Sequence, residues 1–244
     1  MNPLERAAAA SRWAHASVAE KALGLLGLLL LAVSVPPWPL LPVIAALVLA
    51  AAVAARVPWR LYAALVAGPA TFVLLGLVPL VWQVSRDGIH LIDGGVQDAA
   101  TVLARCTVGM AATMLFAVTT PMAQLLVWLR AHGYPEELAH VTMMMYRMVG
   151  TLIATARTMW DAQAQRLGHS SPRRWVTSVA SQAATLFVIS ISRARSLQEG
   201  LELRAPIGAT ATLDTVAPAR PRVIALLGAL LGALVIAAVL LRGH

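Results

Sequence analysis

Five apolar stretches of this sequence contain no Asp, Glu, Lys, Arg or His: Ala22–Val35, Leu41–Ala55, Leu61–Trp82, Cys106–Thr120 and Val223–Leu241. Nothing else in the chain constrains the fold as strongly. A hydrocarbon layer about 30 Å thick needs about 20 apolar residues in helical form, and a backbone in lipid must satisfy its own hydrogen bonds. The third and fifth stretches reach that length outright. The first two are shorter and are separated by Pro36-Pro37-Trp38-Pro39, so they read as a helical hairpin whose ends extend into the interface. The fourth is expected to begin near Ala99, which brings Arg105 into it, snorkelling or facing protein. The expectation is an all-α polytopic membrane protein with about five transmembrane helices.

Composition narrows the function. Hydrophobic residues make up 59% and charged residues 12%, against about 25% charged in a soluble domain. Disorder, a coiled coil and an ordinary soluble enzyme are excluded. The net charge is +8, and Lys21 is the single lysine among 19 basic residues. Basicity beside membrane spans is explained by orientation rather than by nucleic acid. Arg6, Arg12 and Lys21 precede the first stretch, Arg56 and Arg60 lie between the second and third, and 121–222 is rich in arginine. The connection Gln83–Ala100 carries Asp87, Asp93 and Asp98 against Arg86 alone. One topology fits: N-terminus cytoplasmic, C-terminus outside, multi-pass in the cell (inner) membrane. The N-terminal stretch reads as a retained span rather than a cleaved signal, because more spans follow and the region ahead of it is long.

The chain then divides into a transmembrane region 1–120, a cytoplasmic region 121–222 and a C-terminal transmembrane helix 223–244. The middle region is too long for a plain loop. Thr119-Thr120-Pro121 starts a short helix, about 121–132, and Gly133-Tyr134-Pro135 ends it. Pro135 at a helix start, followed by Glu136 and Glu137 near the positive helix end, predicts a second helix over about 135–167, with Gly168 as its cap. Ser170-Ser171-Pro172 repeats the start signal, and Pro206 stops a third helix over about 172–204. The two long helices are amphipathic. Leu138, Val141, Met145, Met148, Leu152, Ala156 and Met159 form an apolar stripe on one, and Val176, Val179, Ala183, Leu186, Ile189 and Arg193 follow a similar rhythm on the other. From Arg193 onward, Arg195, Glu199, Glu202 and Arg204 predict a wet end or a protein partner.

Absences count as well. No GxxxxGK[ST] run exists, so the chain is not a P-loop ATPase. The uncharged spans oppose a self-powered ion-coupled carrier. No nucleophile–base pair or paired carboxylate marks an enzyme, so no catalytic residue is assigned. Cys106 is the single cysteine and the six histidines are scattered, so no metal ligands are assigned either. His169 reads as a capping or surface residue. The run Met143-Met144-Met145, with Met148 and Met159, is either packing or an adaptable surface against a moving partner. Arg166 and Arg204, each ending a long helix, carry the sharpest signal. One such arginine is ordinary dipole compensation. A pair of them offers two guanidinium forks suited to carboxylates and carbonyls in two copies of a partner.

The ordered set Ala162-Gln163-Ala164-Gln165-Arg166-Leu167-Gly168, Pro172-Arg173-Arg174, Leu186-Phe187, Ser192-Arg193-Ala194 and Gly200-Leu201-Glu202-Leu203-Arg204-Ala205 resembles the transmembrane T component of energy-coupling factor (ECF) transporters, closest to its cobalt-type, CbiQ-like branch. Thr119-Thr120-Pro121, Leu125-Leu126, Leu129-Arg130, Gly133-Tyr134-Pro135 and Tyr146-Arg147 fit in the same order. The resemblance implies two cytoplasmic coupling helices, each ending in an Ala-Arg-Gly-like tripeptide that docks into a groove on one of two ATP-binding-cassette (ABC) ATPases. The matching positions are Gln165, Arg166 and Leu167, and Leu203, Arg204 and Ala205; both arginines are kept while their neighbours differ from Ala and Gly. The chain is then a non-enzymatic coupling subunit without a cofactor of its own. ATP sits on the ATPases and the metal ion in a small substrate-binding (S) membrane subunit. The stripe Met145, Met148 and Leu152 is the candidate contact with that subunit. Cobalt is the expected cargo, with nickel and a vitamin as alternatives; a stand-alone secondary transporter and a membrane scaffold are the competing readings.

Overall fold

The computed structural model describes residues 7–9, 11–14, 16–35, 38–85, 88–91, 94–203 and 219–242. The chain separates into two compact units: Pro3–Trp128 with Val216–His244, and Leu129–Thr215 with Met1–Asn2.

In the larger unit, α1 runs as Val18–Lys21, a π-helical turn Ala22–Leu26 and Gly27–Ser34. It is followed by α2 (Leu40–Ala54), α3 (Trp59–Gly76) and a short α4 (Val78–Val81). Strands β1 (Trp82–Ser85) and β2 (Gly88–Leu91) form an antiparallel hairpin with Trp82 opposite Leu91. Helix α5 (Gly95–Thr119) follows, and α9 (Pro221–Arg242) closes the chain. The architecture is all-α and polytopic, with the hairpin as a small addition in the Gln83–Ala100 connection.

Four helices among the described residues are long and apolar enough to cross a bilayer: Trp59–Gly76, Gly95–Thr119, Pro172–Gly200 and Pro221–Leu241. Three of them coincide with the third, fourth and fifth uncharged stretches. The third stretch is interrupted, since α3 ends at Gly76 and α4 begins at Val78. Helix α5 starts at Gly95, a turn earlier than the expected Ala99, so Arg105 lies well inside it. The 15 residues of α2 span only about 22 Å at 1.5 Å per residue.

The core of this unit is a seam of i, i+3 and i+4 positions. Leu25, Leu28, Leu31 and Ala32 of α1 meet Leu41, Ile44, Val48 and Ala52 of α2, with Val108, Ala112 and Leu115 of α5. Small residues permit the close approaches. A Cβ on Gly27 would lie 2.5 Å from Leu231 Cδ1 of α9, and one on Gly109 would lie 3.1 Å from Leu29 Cδ1. Helices in lipid gain from such approaches through dispersion, because lipid tails are as apolar as leucine. Outward apolar side chains, including Phe72 and Leu75 of α3 and Leu226, Ile236 and Val239 of α9, are left exposed. That much apolar surface, on helices long enough to cross a bilayer, fits contact with hydrocarbon.

Polar groups in this unit are spent on backbone. The hydroxyls of Thr107, Thr113 and Thr119 donate to carbonyls four residues earlier. Tyr62 Oη donates to the Ala111 carbonyl at 2.9 Å, joining α3 to α5. Arg105 faces protein: its guanidinium donates to Val35 O at 2.8 Å and reaches Val33 O at 3.4 Å. It thereby satisfies carbonyls that the end of α1 leaves without helical partners.

Helix α6 (Met122–Ala131) leads into the smaller unit, which contains α7 (Glu136–Gln165) and α8 (Pro172–Glu202). Gly133 takes the left-handed conformation (φ 94°) that breaks the chain between α6 and α7. Arg130 and Glu136 form an ion pair across that break. Pro135 occupies the N-cap of α7. Ser171 caps α8 by accepting from the Arg174 N–H, with Pro172 as the first helical residue.

Candidate functional site

Helices α7 and α8 run antiparallel and are stitched by a polar seam. Gln182 Nε2 donates to Ala156 O at 2.6 Å, and Ser178 Oγ donates to Gly168 O at 3.2 Å. Arg193 donates to Thr151 Oγ1 at 3.1 Å and Thr155 Oγ1 at 3.3 Å. Arg193 therefore belongs to the helix–helix seam and not to the wet end expected for it, because its long side chain reaches the threonine row one turn apart on α7.

The seam ends at a tight turn. The Gly168 N–H donates to Gln163 O at 2.8 Å and the Leu167 N–H to Ala164 O at 3.1 Å. This pair of bonds is a Schellman ending, in which the penultimate residue takes the left-handed conformation. That residue is Leu167 (φ 57°), not Gly168 as the sequence suggests. Gly168 is held for space: a Cβ there would lie 2.6 Å from Ser178 Oγ and 2.9 Å from Gln163 O. Behind the turn, His169 stacks on Trp160 with ring centroids 4.2 Å apart, so the half-buried imidazole packs rather than caps.

Gln165, Arg166 and Leu167 are all exposed at this turn, with Leu167 at 66%. Arg166 is the C-cap of α7, and its guanidinium makes no side-chain hydrogen bond or ion pair among the described residues. Leu203 follows α8 and is 86% exposed. Arg204 and Ala205 lie outside the described residues. The 31 residues of α8 extend about 46 Å at 1.5 Å per residue, so the Arg166 turn and Leu203 stand at opposite ends of a long rod.

The apolar stripe of α7 divides. Leu138, Val141 and Met145 are exposed, Met145 at 61%, while Met148, Leu152, Ala156 and Met159 are half-buried. Val149 and Ile153 continue the bare row on α7, and Trp175, Val176, Phe187, Val188 and Ile191 are bare on α8. Between Trp175 and Ser192 α8 has no charge, which is why its composition permits a span. Thr177, Ser178, Ser181, Gln182, Thr185, Ser190 and Ser192 interrupt that stretch and give it a polar side.

A pair of residues at the other unit escaped the sequence reading. Lys21, 3% exposed, donates from Nζ to the carbonyl of Thr119 at 3.0 Å. Glu20 accepts from the Arg220 N–H at 2.6 Å. The cation thus meets the negative end of α5 and the anion the positive end of α9. The one signal available beforehand was that Lys21 is the only lysine in a chain of arginines.

An apolar body with helices able to cross a bilayer, and a helical pair with bare apolar faces, define a polytopic membrane protein. The family is specific: the family model described as CbiQ, cobalt transport protein, matches residues 10–208, and the chain belongs to that family. It is 38% identical to the cobalt transport protein CbiQ of Rhodobacter capsulatus over 239 residues, 98% of both chains. It is 27% identical over 221 residues to the cobalt transport protein CbiQ of Salmonella typhimurium, covering 84% of this chain and 96% of that one. A putative fused cobalt transport protein CbiMQ of Methanocorpusculum labreanum is 27% identical over 183 residues, 69% of this chain and 30% of the longer protein.

Proposed function

We propose that this chain is the coupling (T) subunit of an ATP-driven ECF importer for cobalt ions. The observation that carries the reading is the turn closing α7, where Arg166 is exposed and, among the described residues, has no side-chain partner. A guanidinium so presented is available for carboxylates and carbonyls in a partner groove. Arg204 plays the same part beyond the far end of α8, and the length of α8 gives each of two ABC ATPases its own docking point. ATP binding and hydrolysis on those subunits would move the helix ends. The α7–α8 seam would carry that motion as a unit, since Gln182, Ser178 and Arg193 tie the helices along much of their shared length.

The bare apolar row Leu138, Val141, Met145, Val149 and Ile153 suits contact with the small substrate-binding membrane subunit. The fused relative, named for CbiM and CbiQ together, supports a CbiM-type membrane protein as that partner. The metal ion is cargo held by the partner. In this reading α7 and α8 lie along the cytoplasmic side of the inner membrane, the N-terminus is cytoplasmic, and the exposed hydroxyls Thr177, Ser181 and Thr185 of α8 meet water.

The test is a pull-down of tagged chain from native membranes, wild type beside Arg166→Ala/Arg204→Ala. An ABC ATPase is expected with wild type and lost with the double variant. Truncating one partner of a desolvated charged contact costs about 2–5 kcal/mol. Equal ATPase recovery from both, or none from wild type, overturns the reading.

A further inference from the structure

We propose that the cleft between α1, α2 and α9 binds an anionic phospholipid, with part of one acyl chain between the helices and the phosphate among the arginines at the mouth. The site lies within the larger unit and is independent of the coupling reading. The cleft encloses about 340 Å³. An apolar cavity of about 150 Å³ already holds benzene, so there is room here for a length of alkyl chain. Its walls include Leu25 and Leu28 of α1, Leu47 and Ala51 of α2, and Leu227 and Leu230 of α9. From Val223 to Leu230 the α9 wall is about 10 Å deep at 1.5 Å per residue. That is about two-thirds of one leaflet of a hydrocarbon layer about 30 Å thick. A transmembrane helix, about 10–12 Å across, is too wide for a gap of this volume and depth.

Apolar walls alone do not name an occupant; the mouth does. The charged residues of the wall, Glu20 and Lys21, lie at the end where α1 and α9 begin and α2 finishes. Both are already engaged, Glu20 by the Arg220 N–H and Lys21 by the Thr119 carbonyl. Arginines gather around them. The Arg12 N–H donates to Ala55 O at 3.2 Å, which holds Arg12 beside Arg56 at the end of α2. The bond to Glu20 holds Arg220 at the start of α9, where Arg222 follows. All four arginines are exposed, and among the described residues none has a side-chain hydrogen bond or ion pair. Basic residues beside a gap between membrane helices suit an anionic lipid headgroup. Half-buried Trp13 lines the same end, where an indole sits well at a membrane interface. Helix α1 is also irregular here. Its π-helical turn Ala22–Leu26 puts Gly24 in the wall, and such turns recur at functional sites. A Cβ on Gly24 would stand 3.5 Å from Leu227 Cδ2, so the glycine keeps α1 and α9 apart at this level.

The test is native mass spectrometry of the full-length chain in detergent, titrated with phosphatidylglycerol or with phosphatidylcholine of the same acyl chains. One phosphatidylglycerol per chain is expected, in preference to phosphatidylcholine. Arg12→Gln/Arg220→Gln is expected to weaken phosphatidylglycerol binding about tenfold, while the main-chain bond from residue 220 to Glu20 survives. Ala51→Phe is expected to fill the cleft and abolish retention, with the chain still folded by its unfolding midpoint. Leu47→Trp repeats that test one turn deeper; if neither variant folds, the arginine pair decides. Equal retention of the two lipids by wild type overturns the proposal, as does a preference that survives a folded cleft-filling variant or the loss of both arginines. Displacement by inorganic phosphate at equal concentration also overturns it, since the acyl chain then contributes nothing. A cysteine at Ala51 that crosslinks to a protein subunit in native membranes gives the cleft to a protein partner and overturns it as well.

Discussion

The ammonium of Lys21 donates to the main-chain carbonyl of Thr119 at 3.0 Å, although the two residues are 98 positions apart. Thr119 is the last residue of α5, just ahead of the stretch that leads to α7 and α8. One residue earlier, Glu20 holds the N–H of Arg220, just ahead of α9. Two adjacent side chains on α1 thus grip the departure and the return of the chain that carries α7 and α8. Arg105 does the same work at the far end of α1 by binding Val33 and Val35 carbonyls.

Replacing Lys21 with Met keeps the length and much of the apolar stem but removes the donor. The Thr119 carbonyl, in a residue with 0% exposure, then loses its charged partner. The expected loss is about 1–3 kcal/mol, read as a lower unfolding midpoint in detergent. An unchanged midpoint would show that the carbonyl finds water or another donor.

The approach of α1 to α9 depends on Gly27, whose added Cβ would come within 2.5 Å of Leu231 Cδ1. Gly27→Val is expected to destabilise by about 1–3 kcal/mol through overpacking. Combining it with Leu231→Ala should recover part of that loss, a coupling that a double-mutant cycle measures. Strict additivity of the two changes is the contrary result.

Arg193 is expected to act through α7, since its guanidinium spans Thr151 and Thr155. Arg193→Met should leave ATPase retention intact and loosen the helical pair. A spin-label pair at positions 152 and 190 reads this as a broadened distance distribution. A distribution as narrow as wild type would remove Arg193 from the seam.

Exposure along α7 separates two roles within the stripe. Cysteine at Met145 or Val149 is expected to crosslink to the substrate-binding subunit in membranes, while cysteine at Leu152, half-buried against this chain, crosslinks weakly. The same yield at all three positions would mean that the stripe is not divided as the packing suggests.

Local chemistry made much of this legible. The membrane body follows from uncharged runs, and the helix starts at Glu136 and Pro172 follow from Pro135 and Ser171-Pro172, because capping depends on residues within one turn. The exposed Arg166 was recognisable from its place at a helix end. The left-handed Leu167 was not, because Gly168 is the residue that local preference assigns to that conformation. The position is set by where the last helical bonds fall, Gly168 N–H to Gln163 O and Leu167 N–H to Ala164 O, and Ser178 of α8 holds the Gly168 carbonyl beside them.

By itself, then, the sequence determined that the chain is helical, lives in a bilayer and presents long amphipathic helices, since hydropathy and helical period are properties of neighbouring residues. Only the tertiary structure decided what its few interior charges do. Lys21 reads as one more basic residue of an N-terminal tail, and Arg193 as the start of a wet end. Each is instead paired with a backbone carbonyl or hydroxyls on another helix. Such partners are set by which helices pack together and in what register, and a polar group leaving water must find its hydrogen bonds wherever that packing brings them.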